Sequence, residues 1–277
     1  MKSYDPIAFL QVFSSHESFK WVVRNSTLKT QRGFTKIRDN RNDLQSGYFY
    51  LRRKHSCGVQ MVVNTAVFVS GGGRSLENLL RYWDKGDLGE AQIVTVVSSK
   101  NGTKALEIAK SWSIPTQVVS PRNYPSNIEF SQALIDICLF YDASLIVLAG
   151  WLHFFHIPAS FQGRVINIHP SLIPSFCGKG YYGMKVHKAV LEFGVKITGC
   201  TVHFADNEYD HGPIILQKAV DVLETDSVDT LSRRVFEAEK VALPEAVRLF
   251  SKGRLKVEGR RVQILKEAVE KTCNDGG

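Results

Sequence analysis

The chain has 277 residues, 44% of them hydrophobic and 22% charged, with a formal net charge of +8, the balance of an ordinary globular domain with or without extensions. Its apolar runs, such as Leu145 to Leu148, are far too short to span a bilayer, and its five cysteines form no Cys-x-x-Cys pair, which argues for a reducing compartment and against a disulfide framework or structural zinc. Residues 1 to 60 hold eleven Lys and Arg against four Asp and Glu, the remainder 24 against 23, so the basicity belongs to a leader and the near-neutral body loses most support as a nucleic-acid binder.

That leader is rich in Ser, Arg and Asn and has no clean hydrophobic period or secretory apolar core. An organellar transit peptide is one reading, although Asp5, Glu17, Asp39 and Asp43 make it acidic for that class. The preferred expectation is a disordered or dispensable extension over 1–61, with the folded body over 62–257 and a polar tail over 258–277. From Val62 onward, short β-branched runs alternate with amphipathic stretches, which predicts an α/β fold, Rossmann-like, with a mainly parallel sheet and helices on both faces.

Ala66 to Val69 is the first expected strand. It leads into Ser70-Gly71-Gly72-Gly73-Arg74-Ser75 and a helix from Leu76 to Trp83. Such a loop can aim successive N–H groups at an anion on a helix N-terminus, with Arg74 adding charge, or it can be a tight turn that needs glycine sterically. It is neither a P-loop nor a Gly-x-Gly-x-x-Gly fingerprint. Strands follow at Ile93 to Val97, Thr116 to Val119 and Leu145 to Leu148, with helices at Lys104 to Ser111 and through Phe130, Leu134, Ile137, Cys138 and Tyr141.

The strand Arg164 to Ile168 ends in Asn167-Ile168-His169-Pro170-Ser171-Leu172-Ile173-Pro174, where two prolines stop both strand and helix. Asn167 and His169, two residues apart, point the same way from a strand's carboxyl end, where ligands bind in open α/β sheets. An imidazole and an amide there can hold a developing oxyanion or move a proton; they can also simply satisfy loop backbone. A helix from Lys185 to Phe193 closed by Gly194 is followed by strands at Ile197 to Phe204 and Ile214 to Val222. The acidic loop between them, Asp206 to Pro213, places Asp210 to tune a nearby imidazole, and His203 is either a site residue or a satisfied core histidine. Asp226 is the expected N-cap of the last helix, which Pro244 should kink or end. No His or Cys spacing suggests a metal site.

Taken together, Ser70-Gly71-Gly72-Gly73, Leu148-Ala149-Gly150-Trp151, Asn167 to Pro174, Val202-His203-Phe204 and Tyr209 to Ile214 resemble the ordered motifs of the phosphoribosylglycinamide formyltransferases, within the wider formyl-tetrahydrofolate transferase superfamily. The resemblance covers about Val62 to Lys256. It implies formyl transfer from 10-formyltetrahydrofolate, as co-substrate, to the amine of glycinamide ribonucleotide in purine synthesis, with small-molecule partners and no metal, nucleic acid or membrane. By motif it implies Asn167, His169 and Asp210 as the catalytic trio, with His203 supporting. Gly72, Gly73, Arg74 and Ser75 would bind the phosphate and Glu239 the ribose. Leu152, His153, Phe154, Phe155, Asn167, Ala205, Asp206 and Asp210 would bind the folate. The chain departs from the family pattern at Gly73-Arg74-Ser75, where Gly-Ser-Asn is usual, and near Asn127, where an arginine often meets the folate tail and Arg122 is the substitute at hand.

A formyltetrahydrofolate hydrolase, with water as acceptor, is the alternative; the absence of a βαββαβ pattern in the leader and the glycine loop weigh against it. A methionyl-tRNA formyltransferase would need a further C-terminal domain, and a non-catalytic folate or nucleotide module would not need Asn167, His169 and Asp210 together. The expected location is the cytoplasm, or a plastid or other organelle if the leader is a transit peptide, and the expected state is monomer or homodimer.

Overall fold

A computed structural model describes residues 62–267, together with the backbone of three strands before them. The chain divides into two units, 1–59 and 60–277. In the first, β1 (Ser26–Gln31), β2 (Phe34–Asp39) and β3 (Tyr48–Arg52) pair as an antiparallel sheet in that order. The expected disordered extension is thus described only in part, and the part described is strand. Short Thr- and Arg-containing strands lack the apolar alternation that announces a half-buried strand from sequence.

The second unit is a nine-stranded sheet in the order β11-β12-β10-β9-β8-β7-β4-β5-β6. Its parallel half comprises β4 (Val63–Val69), β5 (Ala91–Ser98), β6 (Thr116–Val118), β7 (Leu145–Leu148) and β8 (Val165–His169). β9 (Ile197–Phe204) and β10 (Ile214–Asp221) then add on antiparallel. The Val- and Ile-rich runs of β5 and β7 are buried along their whole lengths, as strands covered on both faces must be. α1 (Arg74–Asp84) buries Leu76, Leu79 and Leu80 on one face, beside α2 (Lys104–Ser111), α4 (Met184–Phe193) and α5 (Val228–Ser251). α3 (Asn127–Phe140) covers the other face through Phe130, Leu134 and Cys138, with Trp151, Phe155 and Phe161. The predicted α/β class and mainly parallel sheet are observed. The strand order reverses between β4 and β7, so the carboxyl ends of those strands open a crevice.

Three sequence-based expectations need correction. The N-cap of α5 is Ser227, not Asp226: Ser227 Oγ accepts from Thr230 N at 3.2 Å, and Ser227 N donates to Thr230 Oγ1 at 2.9 Å. Asp226 instead receives both Arg234 Nη atoms, at 2.6 and 2.8 Å, and these bonds hold its carboxyl well below the usual carboxylate range. The polar region after Val257 is not simply a tail, because β11 (Leu255–Glu258) and β12 (Arg261–Ile264) form a hairpin that joins β10.

Finally, α5 runs through Pro244 to Ser251. Proline removes one helical N–H and leaves the carbonyl four residues earlier unpaired. That carbonyl, of Lys240, accepts from Asn78 Nδ2 of α1 at 2.8 Å, which repairs the loss from a neighbouring helix. Asn78→Ala should therefore lower unfolding stability by about 1–2 kcal/mol, read as a reduced urea midpoint at unchanged slope.

Candidate active site

At the carboxyl ends of β4, β7 and β8 the surface opens into a cavity of about 420 Å³. The residues expected for catalysis, for phosphate and ribose, and for the folate pocket itself lie on its wall. The glycine loop forms one end. Gly73 is needed sterically: its φ is +73°, and a Cβ there would lie 2.7 Å from the Ala105 Cα. Gly71 and Gly72 have no such need, since neither has a left-handed φ and a Cβ on either would meet nothing within 4 Å. The steric reading of the loop thus holds for Gly73 and not for Gly71 or Gly72. The start of α1 has no side-chain cap, which leaves its first N–H groups for an anion.

Arg74 opens α1, and its guanidinium carbon lies 4.3 Å from the Phe236 ring centroid, close enough for cation–π attraction. Ser232, Phe236 and Glu239 reach the cavity from one face of α5, at spacings of four and three residues. Burial pushes the Glu239 carboxyl up to about 7, against the pull of Arg74. The linked stability is full below the ordinary carboxylate value of 4.5 and is lost as pH rises through about 7. Glu239→Gln should then be more stable than the parent by about 1–2 kcal/mol at pH 8, a figure reduced for partial solvent contact, and equal to it near pH 4. Urea unfolding at the two pH values reads this difference.

The middle of the cavity is built on β8. Asn167 and His169 project from the strand end, and β9 brings His203 opposite Asn167. His203 Nδ1 donates to the Phe204 carbonyl at 2.8 Å, so its Nε2 is free to accept from Asn167 Nδ2 at 3.1 Å. The second Asn167 hydrogen goes to Asp210 Oδ1 at a long 3.3 Å. Both amide hydrogens are therefore engaged, one of them weakly.

Both His169 nitrogens face acceptors, Nε2 the Phe176 carbonyl at 2.9 Å and Nδ1 the Asp210 Oδ2 at 3.4 Å. Burial nevertheless lowers the ring's pKa below its usual 6.5, outweighing the opposing pull of Asp210 and Phe176. Asp210 thus opposes the effect of burial on this imidazole without cancelling it. For Asp210, burial raises the pKa, but the His203 ring, the His169 ring and the Gly178 N–H at 2.9 Å together hold it below the usual value. Asp210 adopts φ +52°, a left-handed conformation that Asp tolerates better than most residues.

At the far end, Leu152 and Tyr209 are exposed, and the Phe154 and Tyr209 rings lie 5.2 Å apart. Phe155 differs from its neighbours: its side chain is buried in the core and meets Phe68 edge-on at 5.7 Å. Asp206 is engaged by His211 Nδ1 at 2.8 Å and Glu208 N at 3.0 Å. Neither Arg122 nor Asn127 lines the cavity. No group of three His, Cys, Asp or Glu among the described residues could hold a metal ion, and no described helix is long and apolar enough to cross a membrane.

Sequence reasoning missed His187, Ser232, Phe236 and the wall from Gly178 to Met184. His187 is buried on α4, its Nδ1 has no hydrogen-bond partner, and burial drives its pKa to about 4. One histidine on an amphipathic helix gives no signal; Ser232 and Phe236 shared a helical face with Glu239, and that spacing was the available clue.

The chain belongs to the formyl transferase family, which residues 63–247 match. Within it, the proteins the chain resembles include relatives and solved structures named phosphoribosylglycinamide formyltransferase. The crystal structure of glycinamide ribonucleotide transformylase 1 from Symbiobacterium toebii superimposes with a TM-score of 0.70 at 39% identity, over 74% of this chain and 95% of that one. The phosphoribosylglycinamide formyltransferase of Anaplasma phagocytophilum gives 0.65 at 33% identity, over 76% and 97%. The chain is 43% identical over 197 residues to the trifunctional purine biosynthetic protein adenosine-3 of Gallus gallus, covering 70% of this chain and 19% of that protein. With the chloroplastic phosphoribosylglycinamide formyltransferase of Arabidopsis thaliana it shares 37% identity over 194 residues, 69% of this chain and 66% of that one.

Proposed function

We propose that the protein transfers the formyl group of 10-formyltetrahydrofolate to the amine of glycinamide ribonucleotide. The observation that carries this reading is one continuous cavity with the uncapped glycine loop and Arg74 at one end and an aromatic-lined mouth at the other, joined by Asn167, His169 and Asp210. In it, Gly72, Gly73, Arg74 and Ser75 hold the acceptor's phosphate, and Glu239 holds its ribose. The segments 152–155 and 205–210 hold the folate, with the Phe155 side chain supporting from the core.

The acceptor's amine nitrogen attacks the formyl carbon, and negative charge grows on the formyl oxygen. Asn167 transfers its long hydrogen bond from Asp210 to that oxygen, which costs little because the bond is weak at 3.3 Å. Negative charge growing on an oxygen beside His169 adds to the pull of Asp210 and the Phe176 carbonyl, and it favours the charged form of the buried ring as the reaction proceeds. Asp210 accepts a proton from the attacking amine. The bond from the formyl carbon to the folate nitrogen then breaks, and that nitrogen takes up the proton.

Phe236 keeps Arg74 over the phosphate site rather than free in solvent. An acceptor lacking its phosphate should therefore be used with a KM raised about 10²-fold or more, since charge-assisted bonds are lost. Equal use of acceptors with and without phosphate contradicts the assignment of the glycine loop. The partners are small molecules, and a monomer or homodimer suffices for a site built within one chain. Relatives in Arabidopsis thaliana and Vigna unguiculata are named chloroplastic, which supports the organellar reading of the basic leader beside the cytoplasmic one.

A further inference from the structure

The hairpin of β11 and β12 lies beyond residue 247, where the family match ends. Its turn, Gly259-Arg260, is aimed back at the loop that carries Asp210. Arg260 Nη1 donates to His211 Nε2 at 2.6 Å, and Nη2 donates to the His211 carbonyl at 2.7 Å. With Nε2 accepting, the ring carries its proton on Nδ1 and donates it to Asp206 Oδ2 at 2.8 Å. One guanidinium thus fixes both the backbone and the side chain of the residue after Asp210, and through that side chain the residue that begins the loop. The hairpin meets the sheet at the loop's base, where β12 pairs with β10 through Arg261 and Ile214.

The loop's other flank is held separately. Asn207 Oδ1 accepts from Ile157 N at 2.8 Å, and Asn207 Nδ2 donates to the Ile157 carbonyl at 3.1 Å. Between these two clamps sits Asp210 with its φ of +52°, a conformation that persists only when the surroundings over-determine it. We propose that Arg260 is a positioning residue, which locks the loop Asp206–His211 through His211 and so sets the placement of Asp210 and of the folate-facing backbone. The arrangement makes the C-terminal hairpin part of the site's support. The proposal rests on the reading of this loop as the folate and proton-handling segment.

The test compares the full-length protein with Arg260→Ala and Arg260→Lys by hydrogen–deuterium exchange and by steady-state kinetics. In Arg260→Ala, the peptide spanning 205–213 should exchange about tenfold faster while peptides from α5 keep their rates. The KM for 10-formyltetrahydrofolate should rise several-fold, about three- to tenfold, with the KM for glycinamide ribonucleotide unchanged. Lysine cannot bridge the ring and the carbonyl together, so Arg260→Lys should fall between the parent and the alanine variant. Unchanged exchange in 205–213 overturns the proposal, and so does a rise spread evenly over the whole body, which would mark a general loss of stability. If the parent shows no formyl transfer at all, the proposed function fails, while the exchange comparison still decides the role of Arg260.

Discussion

His169→Ala is expected to lower kcat by about 10³-fold while changing tetrahydrofolate binding by less than about tenfold. The imidazole lies between the Phe176 carbonyl and Asp210, and in the proposed reaction it meets the reacting atoms. The mouth around Leu152, Phe154 and Tyr209 and the end at Arg74, proposed for folate and phosphate, are built from other elements. A drop in kcat with binding preserved is the mark of a contact made mainly in the transition state. Fluorescence titration and single-turnover rates on the same preparation separate the two. Turnover within about threefold of the parent would contradict a catalytic role, since even a modest general acid supplies more than that.

Asp210→Asn should cost about 10²-fold in kcat/KM near neutral pH, for two reasons with the same sign. It removes the acceptor for the amine proton, and it removes the negative charge that raises the His169 pKa against burial. Without that charge the His169 pKa falls further below 6.5. The limb of the pH–rate profile that requires the charged ring should then move to lower pH. Asparagine is the suitable probe because it keeps the shape and tolerates φ near +52°, and with its oxygen on the Gly178 N–H it gives up only the long bond from Asn167. A variant with lower activity but an unmoved profile would place Asp210 as a purely structural tie to Gly178.

Much of this was legible in the sequence because the informative residues are forced by rigid geometry. Pro170 and Pro174 end β8 where Asn167 and His169 project, and an apolar run such as Leu145 to Leu148 has no place except a doubly covered strand. What escaped depended on partners distant in the chain. The survival of α5 through Pro244 depends on Asn78, more than 160 residues away. Asp226 and Ser227 are adjacent candidates for one cap, and only Arg234 on the following turn decides between them. The engaged hydrogens of Asn167 follow from His203 on another strand and from Asp210, and the lowered pKa of His169 from burial outweighing a nearby carboxylate. Local pattern names which groups are present; the tertiary arrangement decides which of their atoms are free.

In the proposed reaction the formyl group passes to a phosphorylated amine and not to water. The decisive measurement is release of tetrahydrofolate from 10-formyltetrahydrofolate, followed with and without glycinamide ribonucleotide. Release should depend on the acceptor and match formylated product one for one, with negligible release in its absence. Equal release with and without the acceptor, accompanied by free formate, would contradict it and identify a hydrolase.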